Sequence, residues 1–386
     1  MPPSSGLRVL VVNDWLRQRI DESGDVYELV AGLLASDPSL RVLILDRGVL
    51  LKPSLGNGEL TFAVKGGLGE VLRTGCDVAH FFLPIPPSHL LRALLLRLRG
   101  CYVVLSPMAM LGDDFARRSW FRRPSRPFAV AKPSLVKLLR SLWRLTAQGF
   151  VAVSEEEITQ AHLPRERTAI LPYPFPPSPL LQAAREEAVT VASGANDGPV
   201  AFVSRLDVHR KGVDRLCRWL ATHEAKLPRP AVRLFAPGDT TALSADLAAE
   251  LDRLVAAGIM DWDQETRGPA LLPALRKCRG LMLLSRFDGQ PRVLREAAFL
   301  GVPIAATRAS GFAEIARFTG GGVVVEDGDD PKEIHRAFHS LAAITHDPQR
   351  HRPTLSREPL GAHWAMLLRT VATGGPPNRD YSPLNH

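Results

Sequence analysis

The sequence predicts an α/β fold made of two Rossmann-like, doubly wound domains that face a central cleft. Short apolar runs, typical of buried parallel strands, alternate with helical patterns in both halves of the chain. Segments rich in proline and glycine interrupt that alternation near the middle. The length of 386 residues also exceeds what one hydrophobic core usually organises, which favours two domains.

In the first half, the predicted strands are short apolar runs. Leu7–Asn13 is the first of them, and a helical pattern follows from Val26 to Leu34, where apolar residues recur every three or four positions. Further strands are predicted at Arg41–Leu45, Val78–Leu83, Tyr102–Leu105 and Phe150–Val153. Helical segments between most of these strands predict a parallel sheet that is covered on both faces.

Two segments, Pro172–Pro179 and Ala192–Pro199, predict the connection between the domains because proline and glycine end regular structure. The expected organisation is an N-terminal domain over residues 1–178, a linker over 179–198 and a C-terminal domain over 199–359. A helix at about residues 360–374 is expected to pack back on the first domain.

The alternation restarts in the second half, which predicts a second doubly wound unit. Its predicted strands are Val200–Val203, Val232–Phe235, Gly280–Leu284, Pro303–Ala305 and Gly322–Val325. Its predicted helices contain Leu216–Leu220, Ala245–Leu254, Leu271–Lys277, Leu294–Leu300 and Ile334–Ala342. Sheets of this kind bind ligands beyond the carboxyl ends of their strands.

The cysteines and the hydropathy argue against a secreted or membrane-integral protein. Cys76, Cys101, Cys217 and Cys278 form no Cys-x-x-Cys pair, so we expect reduced thiols in a cytoplasm rather than disulfides or a zinc site. The start of the chain lacks the zones of a signal peptide. No apolar stretch approaches the ~20 residues that span a bilayer.

Positive charge is concentrated in one region of the first half. Between Arg92 and Arg144, twelve Lys or Arg residues and two Asp residues give a local charge of +10, against +8 for the whole chain. An anionic partner is therefore expected to bind this region.

The first candidate site motif follows the strand Val200–Val203. Arg205 lies at the mouth of that strand, and Lys211 lies in the next turn, just before a helix. Two cations placed in this way could hold a diphosphate. The alternative is that both are ordinary surface charges, since Lys and Arg are common at helix ends.

The second motif follows the strand Gly280–Leu284. Asp288 lies in a loop, Gly289 lets backbone approach a ligand closely, and Pro291 suits the first turn of a helix. That helix would point free amide groups and its positive dipole end at an anion. Glu296 follows Asp288 by eight positions, and two acids at this spacing are by themselves a weak signal.

A third group of motifs consists of Gly301-Val302-Pro303 and of Gly311 with Glu314. Read in order, the three groups resemble the donor domain of the retaining glycosyltransferases of family 4. Members carry an Arg and a Lys-Gly after the first strand, a Ser-Arg-x-Glu-Gly loop, a second Glu eight residues later, and a Gly-x-x-Glu turn. The resemblance is strong from Val200 to about Leu341, and it continues more faintly through the first half, at Gly24, at Asp77-Val78-Ala79-His80 and at Val151–Glu155.

The resemblance implies a GT-B fold and a retaining glycosyltransferase. Such an enzyme moves a sugar from a UDP- or GDP-sugar to an acceptor, here in the assembly of a bacterial surface polysaccharide or lipid-linked glycan. Residues 199–359 would bind the nucleotide sugar, and residues 1–178 the acceptor. The donor is a co-substrate, and neither a cofactor nor a metal is expected. Asp261-Trp262-Asp263 has the spacing of a metal-binding motif from another fold, but surface acids are the favoured interpretation.

The resemblance also assigns roles to residues. The implied catalytic residues are Asp288, Arg205 and Lys211. The implied donor-binding residues are Arg205, Lys211, Gly289, Gln290, Pro291, Arg292, Val293 and Glu296. The candidate acceptor contacts are Asp14, Gly24 and His80, of which His80 has core packing as its alternative. Asp288 replaces the usual first Glu, which keeps the charge and shortens the reach by one methylene.

The basic region offers an acceptor-side surface. Leu90–Arg99 and Ser134–Leu145 are predicted helices with leucines on one face and basic residues on the other, and Arg117–Arg123 mixes aromatic with basic residues. Such surfaces dock on anionic membranes, which predicts a cytoplasmic protein that is peripheral to the inner face of the membrane. For the helices alone, the favoured alternative is that the leucines pack on the first sheet. Nucleic acid is a less favoured anionic partner.

Two other functions remain as alternatives. The first is a glycosyltransferase that acts on a soluble metabolite or a nucleic-acid base. The second is a non-catalytic protein that binds sugar nucleotides.

Overall fold

A computed structural model describes residues 6–13, 25–56, 59–82, 87–107, 111, 132–174, 198–206, 208–319, 322–344 and 357–377. The chain divides into two compact units, one formed by Met1–Pro176 with Pro353–His386 and the other by Pro177–Arg352. The residues proposed above for the linker therefore lie almost entirely outside the described part of the chain, and the second unit ends before residue 359.

Most of the strands have the three to six residues that are typical of globular proteins, and β3 and β4 are longer. In unit 1 they are β1 (Arg8–Val12), β2 (Arg41–Asp46), β3 (Val49–Gly56), β4 (Glu59–Gly67), β5 (Val78–Phe82), β6 (Tyr102–Ser106), β7 (Gly149–Ala152) and β8 (Thr168–Ile170). In unit 2 they are β9 (Val200–Val203), β10 (Val232–Phe235), β11 (Met260–Asp263), β12 (Gly280–Leu283), β13 (Ile304–Thr307) and β14 (Gly322–Val325).

Helices follow most strands in the described part of the chain. They are α1 (Asp25–Ser36), α2 (Leu68–Thr74), α3 (Pro87–Leu98), α4 (Lys132–Thr146), α5 (Glu155–Gln160), α6 (Val208–Lys211), α7 (Val213–His223), α8 (Ala245–Ala256), α9 (Leu271–Arg276), α10 (Arg292–Phe299), α11 (Phe312–Thr319), α12 (Pro331–Ala342) and α13 (Arg357–Ala372). None of them is long and apolar enough to cross a membrane.

The sheet of unit 1 has the strand order β4-β3-β2-β1-β5-β6-β7-β8. Strand β1 pairs in parallel with both β2 and β5, and its alternate residues point to opposite faces. Val9 and Val11 pack with α1 and α13 on one face. Leu10 and Val12 pack on the other face, in the same cluster as Trp143 of α4. The sheet is therefore covered on both sides.

Three strands of unit 1 differ from the sequence prediction. Strands β3 and β4 form an antiparallel hairpin at one edge of the sheet, and β8 adds a short parallel strand at the other. Pro53 and the glycines and lysines of this hairpin obscure its pattern, because proline and charged residues are typical of edge strands rather than of buried ones.

The C-terminal helix α13 belongs to unit 1. It packs against α1, where the side chain of Ser36 donates to the carbonyl oxygen of Glu358 at 2.9 Å. Trp364 and Leu368 of α13 are buried in the same cluster as Val9 and Val30. Helix α13 therefore completes the core of the first unit.

The sheet of unit 2 has the order β11-β10-β9-β12-β13-β14 and is parallel throughout. From β9 the chain proceeds to β10 and β11 on one side, and then returns to place β12 on the other side of β9. The order of strands thus reverses between β9 and β12, and this is where open α/β sheets bind their ligands. The α/β prediction of two parallel-sheet domains is confirmed, with β11 as an additional strand.

Candidate active site

The candidate site lies in unit 2, at the carboxyl ends of β9 and β12. These strands are direct neighbours, with Leu281 in register with Ala201. The segment after β9 carries Arg205, Arg210 and Lys211, and the loop after β12 carries Asp288. The topology therefore places the first two predicted motifs side by side, although about eighty positions separate them in the sequence.

A glycine makes the turn that holds Lys211. Gly212 joins α6 to α7 with φ of +73°, in the left-handed region that glycine adopts without strain. A Cβ atom at this position would collide with the carbonyl oxygen of Leu284, at the end of the neighbouring strand. Any other residue would push the two loops apart, so Gly212 fixes how closely Lys211 approaches the β12 loop.

Asp288 is the centre of the site. Its Oδ1 atom lies 2.7 Å from Nη2 of Arg210, and its Oδ2 atom accepts from Nζ of Lys211. The Asp288 side chain is 3% exposed, against 40% for that of Arg210. Burial disfavours the carboxylate, but the nearby charges of Lys211 and Arg210 outweigh burial and hold the pKa of Asp288 below its usual range. Asp288 is therefore an ionised carboxylate with two cationic partners.

Arg210 is a site residue that the sequence motifs did not identify. It precedes the Lys-Gly pair directly, where Lys or Arg is unremarkable in a surface turn. Only the packing of the β12 loop brings its guanidinium to Asp288. The only hint in the sequence is that two cations, Arg210 and Lys211, stand side by side before Gly212. One cation is enough for a phosphate contact, so the second indicates another partner.

Arg286 clamps the two loops together. Its guanidinium binds both oxygens of Asp214 at 2.8 and 2.7 Å and donates to the carbonyl oxygen of Val208 at 2.8 Å. Its backbone amide donates to the carbonyl oxygen of Arg210 at 2.8 Å. Burial opposes ionisation of Asp214, but the Arg286 hydrogen bonds outweigh it and lower the pKa of Asp214. Bidentate pairing of this kind fixes orientation as well as distance.

The loop from Asp288 to Pro291 also rests on the segment after β13. The amide of Asp288 donates to the carbonyl oxygen of Ala309 at 2.8 Å. Gln290 is buried with φ of +49°, an uncommon conformation for a residue other than glycine. Gly311 lies against it, since a Cβ atom there would come within 3.5 Å of the Gln290 amide nitrogen. The loop is thus held from both neighbouring strands.

Helix α10 begins directly after this loop. Pro291 occupies its N-cap position, and no side-chain cap hydrogen bond is found there. The first amide groups of a helix have no partners within it, and together with the helix dipole they favour an anion. Glu296 lies one turn further on and pairs with Arg292 at 2.7 Å rather than with Lys211. Gly289 and Val293 are partly buried, and Pro291 is buried.

Arg205 differs from Lys211 in its surroundings. It is exposed two positions after the end of β9, and its side chain makes no hydrogen bond or ion pair among the described residues. The structure therefore brings Lys211 and Asp288 together directly, and leaves the Arg205 guanidinium available to solvent or to a ligand.

Of the three candidate acceptor contacts, only His80 lies among the described residues. Asp14 and Gly24 lie outside the described residues. His80 is fully buried within β5, where its ring stacks on Trp364 at 4.4 Å and on Phe82 at 4.5 Å. Its Nε2 atom lies 2.8 Å from the hydroxyl oxygen of Ser106. The expectation of an acceptor contact through His80 is corrected accordingly, because core packing leaves no surface for an acceptor to touch.

The two basic helices of unit 1 carry leucines on an exposed face. Their buried residues include Ala93, Leu96 and Trp143, which face the sheet. Six other leucines are exposed: Leu91 59%, Leu94 42% and Leu98 83% on α3, and Leu135 43%, Leu138 54% and Leu145 73% on α4. The favoured alternative for these helices, in which the leucines simply pack on the sheet, is therefore wrong for this set. We call these six residues the leucine face.

No group of three or more potential metal ligands occurs among the described residues. The two acids of Asp261-Trp262-Asp263 have local partners instead: Asp261 pairs with Arg233 at 2.7 Å, and Asp263 accepts from the amide of Thr266 at 2.8 Å. The interpretation of these acids as surface groups beside a strand agrees with those contacts.

Comparison with known proteins adds independent information. Residues 198–343 match the family model of the glycosyl transferases group 1. No curated protein sequence matches the chain significantly. Among solved structures, AviGT4, a glycosyltransferase involved in avilamycin A biosynthesis, has a TM-score of 0.58 at 19% identity, with 96% of this chain and 99% of that chain covered.

Two further structures are similar over nearly the whole length. Sucrose-phosphate synthase from Thermosynechococcus elongatus has a TM-score of 0.53 at 14% identity, covering 95% of this chain and 97% of its own. HepE from Anabaena, solved in complex with UDP, has a TM-score of 0.50 at 15% identity, covering 95% and 98%. At such identities these likenesses establish the fold, which is GT-B. Together with the match of residues 198–343, they support a glycosyltransferase of the GT-B type.

Proposed function

We propose that the protein is a retaining glycosyltransferase that uses a nucleotide-sugar donor and requires no metal ion. The observation that carries this proposal is the pairing of Asp288 with Lys211 and Arg210 at the point where the strand order of unit 2 reverses. The match of unit 2 to the glycosyl transferases group 1 supports it, as does the UDP bound in the similar structure from Anabaena.

The proposed chemistry follows from the charges of the site. When the bond between the sugar and the nucleotide breaks, negative charge develops on the departing diphosphate and the anomeric carbon becomes oxocarbenium-like. Lys211, Arg205 and the amide groups at the start of α10 would stabilise the diphosphate. Preorganised donors of this kind are commonly worth about 3–4 kcal/mol each. Because cations and helix amides supply this stabilisation, a metal ion is not needed to neutralise the leaving group.

Asp288 and Glu296 would position the donor rather than attack it. Asp288 is ionised and can accept hydrogen bonds from sugar hydroxyls, while Glu296 would accept from the ribose. Neither would form a covalent bond to the sugar, in contrast to the second carboxylate of retaining glycosidases. The acceptor would then attack from the face that the diphosphate leaves. Arg286 would act as a positioning residue, since it holds the two loops in register.

For the acceptor, we propose a glycan or lipid-linked glycan reached at an anionic membrane surface. The leucine face supports this proposal. The helices α3 and α4 contain Arg92, Arg97, Lys132, Lys137, Arg140 and Arg144 and no acidic residue. Arg97 of α3 donates to the carbonyl oxygen of Thr146 at 3.0 Å and so joins the ends of the two helices. Exposed leucines among cations match the interface of an anionic bilayer.

A soluble acceptor is the second candidate. One similar structure is a sucrose-phosphate synthase, whose product by name is a sugar phosphate. Flotation of the full chain with vesicles separates the two candidates. Binding to vesicles that contain anionic phospholipid, but not to zwitterionic ones, is the expected result. Absence of binding to both would remove the membrane proposal and leave the soluble acceptor.

The donor proposal is tested by isothermal titration of the full chain with UDP, GDP and ADP, and with the corresponding nucleotide sugars. Binding of one nucleotide, unchanged by EDTA, is the expected result. If none of the nucleotides or their sugars bound at millimolar concentration, the transferase proposal would be abandoned.

A further inference from the structure

Two cysteines that lie far apart in the sequence meet in unit 1. Cys76 precedes β5 and Cys101 precedes β6, and these strands are parallel neighbours with Val78 in register with Tyr102. The two residues therefore lie at the amino ends of their strands. This is the edge of the sheet opposite to the one at which α/β folds bind ligands. Both side chains are buried, Cys76 with 7% exposure and Cys101 with 2%.

The two sulfur atoms are in direct contact. Sγ of Cys76 lies 2.7 Å from Sγ of Cys101, and the Cys101 thiol also lies 2.8 Å from the carbonyl oxygen of Cys76. A disulfide bond is about 2.05 Å long, so bond formation needs only a small approach of the two atoms. In the described structure both residues are free thiols.

The backbone on both sides of the pair is held in place. The amide of Cys101 donates to the carbonyl oxygen of Leu96 at 3.1 Å, and that of Asp77 donates to the carbonyl oxygen of Arg8 at 2.9 Å. The Asp77 carboxylate also pairs with Arg8 at 2.7 Å. The sulfur atoms thus meet at two strand starts whose backbone is anchored.

The contact also shifts the pKa values of the two thiols in opposite directions. The hydrogen bond from Cys76 lowers the pKa of Cys101 to about 7, although burial opposes this. The same hydrogen bond and burial both raise the pKa of Cys76. The two other cysteines, Cys217 in α7 and Cys278 after α9, are buried, and burial raises their pKa to about 12 and about 11. Since the thiolate is the reactive form, Cys101 is the better nucleophile of the four.

We propose that Cys76 and Cys101 form a reversible disulfide when the protein meets a hydroperoxide. The Cys101 thiolate attacks a peroxide oxygen and breaks the O–O bond, which gives a sulfenic acid and releases an alkoxide or, from hydrogen peroxide, a hydroxide that takes up a proton to become water. The Cys76 sulfur then attacks the Cys101 sulfur, loses its proton and displaces a second water molecule. Two thiols and one hydrogen peroxide become one disulfide and two waters. A small dithiol reverses the change by thiol–disulfide exchange.

The disulfide would enclose the chain from β5 through α3. It would therefore tie together the segment that carries half of the leucine face, and restrict that segment in the unfolded chain. This inference does not depend on the glycosyltransferase proposal, because neither cysteine belongs to the candidate site. Reduced thiols in a cytoplasm are compatible with it, since cytosolic disulfides of this kind form transiently.

The test uses the full chain, reduced and then treated with a slight excess of hydrogen peroxide. Free thiols are alkylated under denaturing conditions, and the peptides are mapped by mass spectrometry. The expected product has a cross-link between Cys76 and Cys101, while Cys217 and Cys278 are alkylated. Dithiothreitol should restore four alkylated cysteines, and the oxidised form should melt at a higher temperature than the reduced form.

Matched variants make the result specific. Cys76→Ser and Cys101→Ser should each abolish the cross-link, and Cys217→Ser should retain it. Circular dichroism shows whether each variant is folded before treatment. Alkylation of all four cysteines in the treated wild type would overturn the proposal. Oxidation of Cys101 to sulfinic acid without a cross-link would overturn it as well.

Discussion

Nη2 of Arg210 lies 2.7 Å from Oδ1 of Asp288, and the second oxygen of the same carboxylate accepts from Lys211. One buried acid therefore holds two cations that follow a different strand. A carboxylate in this position limits how much positive charge the site presents to an anion. This relationship makes the consequence of removing either partner predictable.

Asp288→Asn should separate donor binding from turnover. The amide keeps the shape of the side chain but leaves Lys211 and Arg210 without their counter-charge. We expect UDP or another nucleoside diphosphate to bind about fivefold more tightly, which corresponds to about 1 kcal/mol. Transfer should nevertheless fall by about 10²-fold or more, because the sugar loses a charged hydrogen-bond acceptor. Titration calorimetry and a transfer assay measure the two effects.

Asp261→Asn is the matched control for that variant. It removes a carboxylate from unit 2 that pairs with Arg233 and not with the site cations. Both nucleotide affinity and turnover should stay at their wild-type values. Weaker nucleotide binding by Asp288→Asn would contradict the role assigned to this pairing.

Lys211→Ala should have the opposite effect on binding. It removes a cation from the proposed diphosphate position and leaves Asp288 buried beside Arg210 alone. We expect weaker nucleotide binding and a loss of turnover of about 10²–10³-fold, as for the loss of one well-placed donor. Lys226→Ala, at an exposed position of the same unit, is the control. Wild-type turnover in Lys211→Ala would remove this residue from the site.

Much of unit 2 could be predicted because its information is local. The apolar runs predict the strands, and Gly212, Asp288 and Gly289 stand at the spacings of the motifs that this half of the chain resembles, with Asp288 in place of the usual Glu. The pairing of Arg210 with Asp288 is different, since it depends on which strands become neighbours. Adjacent cations in a turn have no pattern that reveals a partner seventy-eight positions away.

Unit 1 illustrates a second limit of prediction from the sequence. Helices α3 and α4 were recognised from leucine periodicity, but periodicity does not distinguish one apolar face from two. Ala93, Leu96 and Trp143 cover the sheet, and the six leucines of the leucine face lie on the exposed side of the same helices. The prediction of His80 as an acceptor contact failed for a related reason. A histidine near the end of an apolar strand looks the same in sequence whether it packs inside or faces a ligand.

The leucine face predicts a specific loss of membrane binding. The double variant Leu91→Ser with Leu98→Ser removes two leucines that are exposed by 59% and 83%, so folding should be unaffected. Insertion of each leucine into a bilayer is worth about 1–2 kcal/mol, and binding to anionic vesicles should fall by about tenfold or more. Vesicle flotation or sedimentation measures the partition.

A double variant with Val64→Ser and Met366→Ser is the control for the leucine face. These residues are also exposed apolar side chains of unit 1, at 69% and 43%, but they lie on β4 and α13. This variant should bind vesicles like the wild type. An equal loss in both double variants would mean that general hydrophobicity, rather than this face, governs binding.

His80 predicts how the stability of unit 1 depends on pH. Burial lowers the pKa of its imidazole to about 3, whereas an unfolded histidine has a pKa of about 6.5. Between these values the unfolded chain binds more protons than the folded one, so stability falls as the pH falls below about 6.5. From pH 7.5 to pH 5 this group should contribute a loss of about 2 kcal/mol in the free energy of unfolding.

The variant His80→Gln isolates that contribution, because its amide is neutral at both pH values and can still bond to Ser106. Urea denaturation at pH 7.5 and pH 5 should show a smaller decline for this variant than for the wild type. His339→Gln removes an exposed imidazole on α12 of unit 2. In this variant, the free energy of unfolding of unit 1 should decline between pH 7.5 and pH 5 as much as in the wild type. Equal declines in wild type and His80→Gln would mean that the folded protein accepts a proton at this buried ring, and that the core around Trp364 opens to admit it.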